Sequence, residues 1–480
     1  MIDTLVVPTA EELDDIFVDA SPEEVHASLF VLFREEGVGG DELAASKPLS
    51  ANRAPSNGRP VGWLFGLYPR STTRPVFPES LERLMMLAQS SGLPQQSVIS
   101  DSDKVFSVGT HRVRPPEETW DWIRPLLPEF GITRVADVTW LDEIGIPVFQ
   151  AVRPNARTLS VSQGKGISPM LARVSAAMEG VELWHAEHPV IPVVAGTVET
   201  VEPGLGYHVD MLALASRHHL GPDCRLVWYP ATRVDRHGSS LVPAALLHLD
   251  ARVTGRWAPP LFQATSNGLA SGNVLDEALL HGMYEVIERD ASTRARRHGG
   301  ARPVDLASVD DPTAGMLLEY LRRAGVDVTI RFLPSPTGVP TFDALIWSDL
   351  FPVPFGGVGT HLDTGVALCR ALSEAAQSRA TAIAGARDDI GRTPYRQARA
   401  FGVDRSPSGR SADVPAADVQ ALGSIISRPL RDVHLEALHV AQLIESVTGC
   451  PPLYVDLTRA EFAVPVVHVV CPGLLFDAGH

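Results

Sequence analysis

Acids and amides recur at helical spacing in three stretches of this chain: Ser175-x3-Glu179-x2-Glu182, Asn273-x3-Glu277-x7-Glu285-x2-Glu288-Arg289-Asp290, and Arg370-x3-Glu374-x2-Gln377. Separations of three, four, seven and eight place side chains on one helical face. Like charges at those spacings repel unless a cation lies between them. The economical chemistry is a set of carboxylate faces that converge on metal ions, with the metals holding something anionic.

Each stripe follows the same local pattern: a strand-like run, a Gly-rich polar loop, then a helix. The loops read as Ser160–Pro169, Ala264–Asn273 and Phe355–Asp363. Gly-rich loops let backbone amides approach phosphate oxygens, and helix N-termini favour anions. In the first unit Lys165 is a mobile cation suited to a phosphate, and Glu179 and Glu182 suit Mg²⁺; a solvated surface helix fits the same residues. In the second, Ser266-Asn267-Gly268 and Asn273 supply turn and amide chemistry before the Glu277–His281–Glu285–Glu288 stripe. Its flanks are apolar, and buried acids require partners or metals. In the third, Arg370 and Glu374 also read as a buried ion pair. No Walker A motif and no convincing G-x-G-x-x-G occurs.

Other constellations are weaker. His185-Ala-Glu187-His188 sits at a helix end, where an ordinary satisfied or exposed histidine is the better reading than a metal ligand. The absence of G-x-S-x-G removes support for a serine hydrolase of the α/β type. Cys471 belongs to an apolar strand end and reads as packed, not nucleophilic.

The elements that must position these residues are mixed. Strands are expected over Gly131–Leu141, Ile146–Val152, Val190–Val198, Arg225–Trp228, Val326–Phe332, Pro340–Trp347, Pro452–Leu457 and Pro465–Val470, from their β-branched content. Helices are expected over Met170–Glu187, Val274–Arg297, Ala314–Ala324, Thr364–Ala384 and Val433–Val447. The alternation predicts an α/β fold with two or more mixed sheets. Residues 1–105 read as an accessory region, with a short strand at Leu5–Val7, acidic helices and a Pro/Ser/Asn/Gly-rich linker from Lys47; residues 106–480 read as the catalytic domain.

With 480 residues, 45% hydrophobic and 20% charged, the chain is globular and long enough for more than one core. A net charge of −16 disfavours a general nucleic-acid surface, although Mg²⁺ allows an acidic protein to hold ATP. The four cysteines form no C-x-x-C pair, so neither a zinc site nor a disulfide framework is indicated. The N-terminus lacks a signal-peptide pattern and no apolar run of ~18 residues appears, so the expectation is a cytoplasmic protein without membrane or nucleic-acid partners.

Taken together, several blocks resemble the YcaO family: Gly131-ITRVADVTWLDEIGIPV, Ser160-VSQGKG, Ser175-AAMEGVELWHAE, Ala264-TSNGLASGNVLDEALLHGMYEVIERDA, Gly357-VGTHLDTGVALCRALSEAAQSRATAIAGARDD and Pro465-VVHVVCPGL. The resemblance runs from about Lys104 to Leu474. It implies an α/β YcaO-like fold, usually homodimeric, with an ATP/Mg²⁺ site on glutamate-bearing helices. Carried over by position, Lys165, Ser175, Glu179, Glu182, Asn273, Glu277, Glu285, Glu288, Arg289, Gln377, Arg379 and Arg387 would hold the nucleotide. Glu179, Glu182, Glu277, Glu285 and Glu288 would ligate Mg²⁺, and Lys165, Arg289 and Glu374 would serve the chemistry. The implied reaction is ATP-dependent O-phosphorylation of a backbone amide in a ribosomally made precursor peptide. Phosphorylation turns a poor leaving oxygen into a good one.

The nucleophile then decides between a thioamide, an azoline and a macrocyclic amidine. The text around IGIPV and SVSQGKG resembles members that act with a TfuA-type partner in thioamide formation, and a leader-binding partner is the other expectation. The chain ends PGLLFDAGH, without the P-x-P-x-P tail common in azoline-forming members, which lowers the azoline reading. His468 stands where the family usually has Arg. A non-catalytic peptide-binding scaffold is the remote alternative.

Overall fold

The structure is a computed structural model that describes residues 102–215, 220–252, 260–349, 353–387 and 419–477. The strand, helices and linker expected within residues 1–101 lie outside the described residues. The chain forms two compact units: Asp101–Glu187 with Ser266–His480, and a second containing His188–Thr265.

The first unit opens with helix α1 (Pro116–Ile123) and a meander of β1 (Arg134–Asp137), β2 (Val148–Val152) and β3 (Val161–Lys165), antiparallel throughout. Helix α2 (Pro169–Glu187) follows and packs on β2 and β3. In the second unit β4 (Val194–Thr197), β5 (Arg225–Arg233) and β6 (Ser239–Pro243) pair antiparallel, and the buried Trp228 indole N–H donates to the Gly196 carbonyl at 3.1 Å.

The first unit resumes with β7 (Leu269–Ser271) and the long α3 (Leu275–His298). A second meander comprises β8 (Arg302–Pro303), then β9 (Asp327–Phe332), β10 (Thr341–Trp347) and β11 (Phe355–Thr360), with α4 (Pro312–Arg323) between β8 and β9. Helix α5 (Thr364–Ala384) lies on β10 and β11; α6 (Val433–Thr448), β12 (Leu453–Asp456) and β13 (Val466–Val470) complete the unit. Strand β13 pairs antiparallel with both β12 and β7.

Sequence explains the helix starts. The Asp311, Asp363 and Asp432 carboxylates cap α4, α5 and α6 by accepting from backbone N–H groups in the first turn. Gly385 and Gly449 end α5 and α6 in the left-handed conformation. Leu317, Leu321, Phe342, Ile346, Leu368 and Leu372 fill the core between the second meander and its helices. Leu279, Met283 and Ile287, one turn apart, form the buried side of α3.

One expectation is corrected. The three Gly-rich stretches are not simple loops: each contains a strand, namely β3, β7 or β11. Polar β3 sits in the sheet because its register pairs Gln163 with Gln150 and α2 covers it, so neither apolar alternation nor β-propensity marks it. The glycines serve helix contact. A Cβ on Gly164 would lie 2.0 Å from the Ala176 nitrogen on α2, and one on Gly359 would lie 2.1 Å from the Ala367 carbonyl oxygen on α5. Helix and strand backbones therefore touch directly, which only glycine permits.

Candidate active site

The strand-to-helix step is repeated three times with the same count. Helices α2, α3 and α5 each begin on the fourth residue after Lys165, Ser271 and Thr360, the last residues of β3, β7 and β11. The stripes then fall on the seventh, eleventh and fourteenth helical residues: Ser175, Glu179 and Glu182; His281, Glu285 and Glu288; Arg370, Glu374 and Gln377. The backbone N–H of Gln163 donates to Glu179 Oε2 at 3.2 Å, and that of Val358 donates to Glu374 Oε1 at 3.4 Å. Two of the three units thus fix the middle glutamate on the preceding strand in the same way.

All nine of these side chains line one cavity of about 640 Å³, together with Lys165, Asn273, Glu277, Arg289 and Arg387. Burial pushes the Glu179 carboxyl up to about 7, with Glu374 adding to the rise. Burial and the nearby Glu179 push Glu182 up to about 8 despite donors from Ser271. Burial also raises Glu285 to about 8, with Arg289 opposing the rise and Glu182, Glu374 and Glu179 adding to it, and it raises Glu288, where Glu374 is the main charge. Such a group of carboxyls either carries protons or takes a cation.

Glu374 is the contrast. Burial would raise it, but Lys165 and Arg289 more than offset that, and its carboxylate ion-pairs with Lys165. Arg289 is held fully charged by Glu288, Glu285 and Glu374 against the pull of its burial. For Arg370 the compensation is incomplete: burial and the neighbouring Arg112 lower it to about 10 against the opposing pull of Glu288 and Glu374.

Mg²⁺ fits this donor set. Among the described residues no three His, Cys, Asp or Glu side chains form a ready-made metal cage. Mg²⁺ is ordinarily held by one or two carboxylates, waters and substrate phosphates, so spread glutamates facing a roomy cavity suit a metal–nucleotide complex better than a closed cage would.

Three of the expected ligands have protein partners of their own. The Glu277 carboxylate accepts from the backbone N–H of Val113 at 3.1 Å, from the Asn273 backbone and amide at 3.3 and 3.0 Å, and pairs with Arg112 at 3.4 Å. Those bonds fasten the start of α3 to the 106–113 segment while Glu277 still lines the cavity. Asn273 accepts from Thr119 Oγ1 at 2.7 Å, which commits its amide to the same wall. Arg379 is buried outside the cavity lining. Its guanidinium binds Asp142 at 3.0 Å and Ser348 Oγ at 2.9 Å, tying α5 to the loop after β1.

Sequence reasoning passed over several participants. Ser271 donates to Glu182 through its N–H at 2.8 Å and its hydroxyl at 2.6 Å, and no spacing rule joins residues 89 apart in the chain. Thr110, Arg112 and Arg114 supply a wall from a stretch with no helical or strand periodicity. Elsewhere, His185 Nδ1 meets the Val181 carbonyl at 2.8 Å, Glu187 ion-pairs with Arg153, and burial raises the Cys471 thiol. His468 is buried with Nε2 at 3.0 Å from the Asn267 carbonyl, and burial lowers it to about 4. No helix among the described residues is long and apolar enough to cross a membrane.

Comparison with known proteins gives one answer. Residues 163–475 match the family described as YcaO cyclodehydratase, ATP- and Mg²⁺-binding. The uncharacterised protein Rv1375 of Mycobacterium tuberculosis is 38% identical over 380 residues, 77% of this chain and 84% of the relative. A protein in the tfuA 3′ region of Rhizobium leguminosarum bv. trifolii is 34% identical over 391 residues, 76% of this chain and 89% of that one. The fold is similar to YcaO from Methanopyrus kandleri bound with AMPPCP and Mg²⁺, with a TM-score of 0.60 at 24% identity over 78% of this chain and 94% of that one. It is also similar to a heterocyclase in complex with substrate and cofactor, with a TM-score of 0.64 at 21% identity over 79% of this chain and 54% of that one. With every glutamate of the cavity inside the matched region, the chain belongs to the YcaO family of ATP- and Mg²⁺-binding enzymes.

Proposed function

We propose that this protein uses ATP and Mg²⁺ to O-phosphorylate a backbone amide in a ribosomally made peptide, and that the product is a thioamide. The observation that carries the first part is the set of cavity carboxyls on α2 and α3, Glu179, Glu182, Glu285 and Glu288, each raised above its ordinary range. When bound, Mg²⁺ supplies the charge neutralisation that lets these carboxylates and a triphosphate share one cavity. The chain's own groups do the rest. Lys165, paired with Glu374, retains donors for a phosphate oxygen, and Arg289 brings a permanent cation beside the same carboxylates. Ser175, Gln377 and Arg387 line the wall and would orient the nucleotide. Most of the rate gain would come from positioning and charge complementarity.

The thioamide assignment is supported by the similarity to a relative from a tfuA 3′ region, which also makes a TfuA-like protein the expected partner. Ring closure to an azoline is the second reading, favoured by the family's description as a cyclodehydratase; an amidine-forming member would use the same activation. Residues 1–105 would serve as a leader- or partner-docking region on the 106–480 catalytic domain, in a homodimer. The test is ADP release with the peptide encoded beside the gene. The unaltered protein should respond to the peptide and Glu182→Ala should not; an unresponsive wild type would favour a peptide-binding scaffold. Product mass separates the chemistries: oxygen-to-sulfur exchange adds about 16 Da, whereas ring closure removes about 18 Da.

A further inference from the structure

Adding a nucleophile to an amide carbonyl releases a proton, and the groups assigned above offer it no obvious acceptor. Glu179, Glu182, Glu285 and Glu288 are the carboxylates that would face the metal. Glu277 is occupied by Val113, Asn273 and Arg112, and Glu374 by Lys165. The cavity wall carries one imidazole among the described residues. It belongs to His281, the seventh residue of α3, one turn before Glu285.

His281 lies beside the backbone of Ser271, the residue whose N–H and hydroxyl hold Glu182. A neutral imidazole carries one nitrogen with a free lone pair whichever tautomer it adopts. The cations Arg370 from α5, Arg112 from the 106–113 segment and Lys165 from β3 lower the ring's basicity, while the carboxyls of Glu277 and Glu285, one turn to either side on α3, and of Glu182 from α2 line the same cavity. Burial and these cations keep the ring neutral, so the lone pair is available at neutral pH. Neither equivalent position on the other helices has a titratable base: α2 has Ser175 and α5 has Arg370.

We propose that His281 is the proton acceptor of this cavity, a catalytic base that takes the proton given up by the attacking thiol, hydrosulfide, hydroxyl or amine. The proposal rests on the amide-activating function above. In the step, the X–H bond breaks and its electron pair forms the X–C bond. The proton goes to the free ring nitrogen, and the C=O π pair moves onto the oxygen that is to be phosphorylated. Anionic phosphates among Arg112, Arg370 and Lys165 would offset the cations that depress the ring, so its basicity rises once nucleotide is in place.

His281→Gln keeps a polar side chain without the imidazole's basicity and tests the role. Mg·AMP-PNP affinity should stay within about twofold, while peptide-dependent ADP release falls roughly 100-fold or more and loses the acidic limb of its pH profile. Added imidazole should partly restore turnover to His281→Ala. Full turnover by His281→Gln, or equal loss of turnover and nucleotide affinity without imidazole rescue, overturns the assignment. Diethyl pyrocarbonate acylates only an unprotonated imidazole and supplies a peptide-free measurement. At pH about 6.5, a value below which a free histidine is mostly charged, mass spectrometry should find His281 modified in the free protein. An unmodified His281 would overturn the claim of an open lone pair. A wild type that binds Mg·AMP-PNP but turns over no peptide removes the proposed function and this role together, whereas an active His281→Gln removes this role alone.

Discussion

Glu182, Glu285 and Glu288 are worst placed when the cavity is empty of cations, because burial and mutual repulsion oppose their charge. The linkage has a definite sign. Their folded-state values lie above the unfolded value of about 4.5, so the protonated forms favour folding. That contribution is complete below pH about 4.5 and is lost as pH rises through the raised values, near 7 for Glu179 and 8 for Glu182 and Glu285. In EDTA, Tm should therefore decline between about pH 5 and 8, before other groups are counted, and Mg·nucleotide should recover it at pH 8. Glu182→Gln should flatten this slope and abolish Mg²⁺-dependent nucleotide binding. Thermal denaturation with and without EDTA, alongside calorimetry, reads both; tight ATP binding in EDTA would count against the glutamate–metal site. Similar residue-level accounting separates Arg379 from the ligand set. Arg379→Met should cost roughly 3–5 kcal/mol in denaturant unfolding, because it strands buried Asp142, yet it should leave Mg·nucleotide affinity almost unchanged.

The strand–helix unit is what makes three stripes into one site. Each helix starts at the same distance from its strand, so the same turn of each carries the functional face. The contact of Gly164 with Ala172 and Ala176 sets how deeply α2 seats on β3. Gly164→Ala would put a Cβ 2.0 Å from the Ala176 nitrogen, a backbone clash that no rotamer relieves. It should destabilise the protein by about 3 kcal/mol or more in denaturant unfolding, and any folded fraction should lose nucleotide affinity as α2 shifts. A near-normal Cm with normal binding would show that the helix tolerates the shift.

Across the whole first unit, the 102–113 segment closes one side of the cavity and is itself anchored far away in sequence. Lys104 pairs with the fully buried Glu436 of α6 at 2.6 Å, and the Tyr284 hydroxyl donates to the same carboxylate at 2.9 Å. Lys104 therefore belongs with the site-bearing unit, at the edge of the region read as accessory. Lys104→Met should leave Glu436 without its cation and cost roughly 3–5 kcal/mol. It should also loosen the wall carrying Arg112, visible as faster amide exchange across 104–113. Retained stability would mean that Tyr284 and the Leu430 N–H at 2.6 Å satisfy Glu436 alone.

Sequence alone determined the long helices, most strands, the family and the cavity's carboxylates, because 3.6-residue periodicity and local motif spacing are written along the chain. Glu179, Glu182, Glu285, Glu288 and Glu374 were legible as anomalies of charge. Tertiary structure decided which anomalies face one another. It turned the Gly-rich loops into strands, and in the first and third of them Gly164 and Gly359 answer to Ala172 and Ala367 on the helices, eight residues further along the chain. It showed Glu277 and Asn273 bonded to a cavity wall and Arg379 in an internal ion pair, through partners such as Val113 and Asp142 that no local pattern names. It also set His281 apart from Ser175 and Arg370, three residues at one helical position whose chemistry diverges only when their surroundings are known.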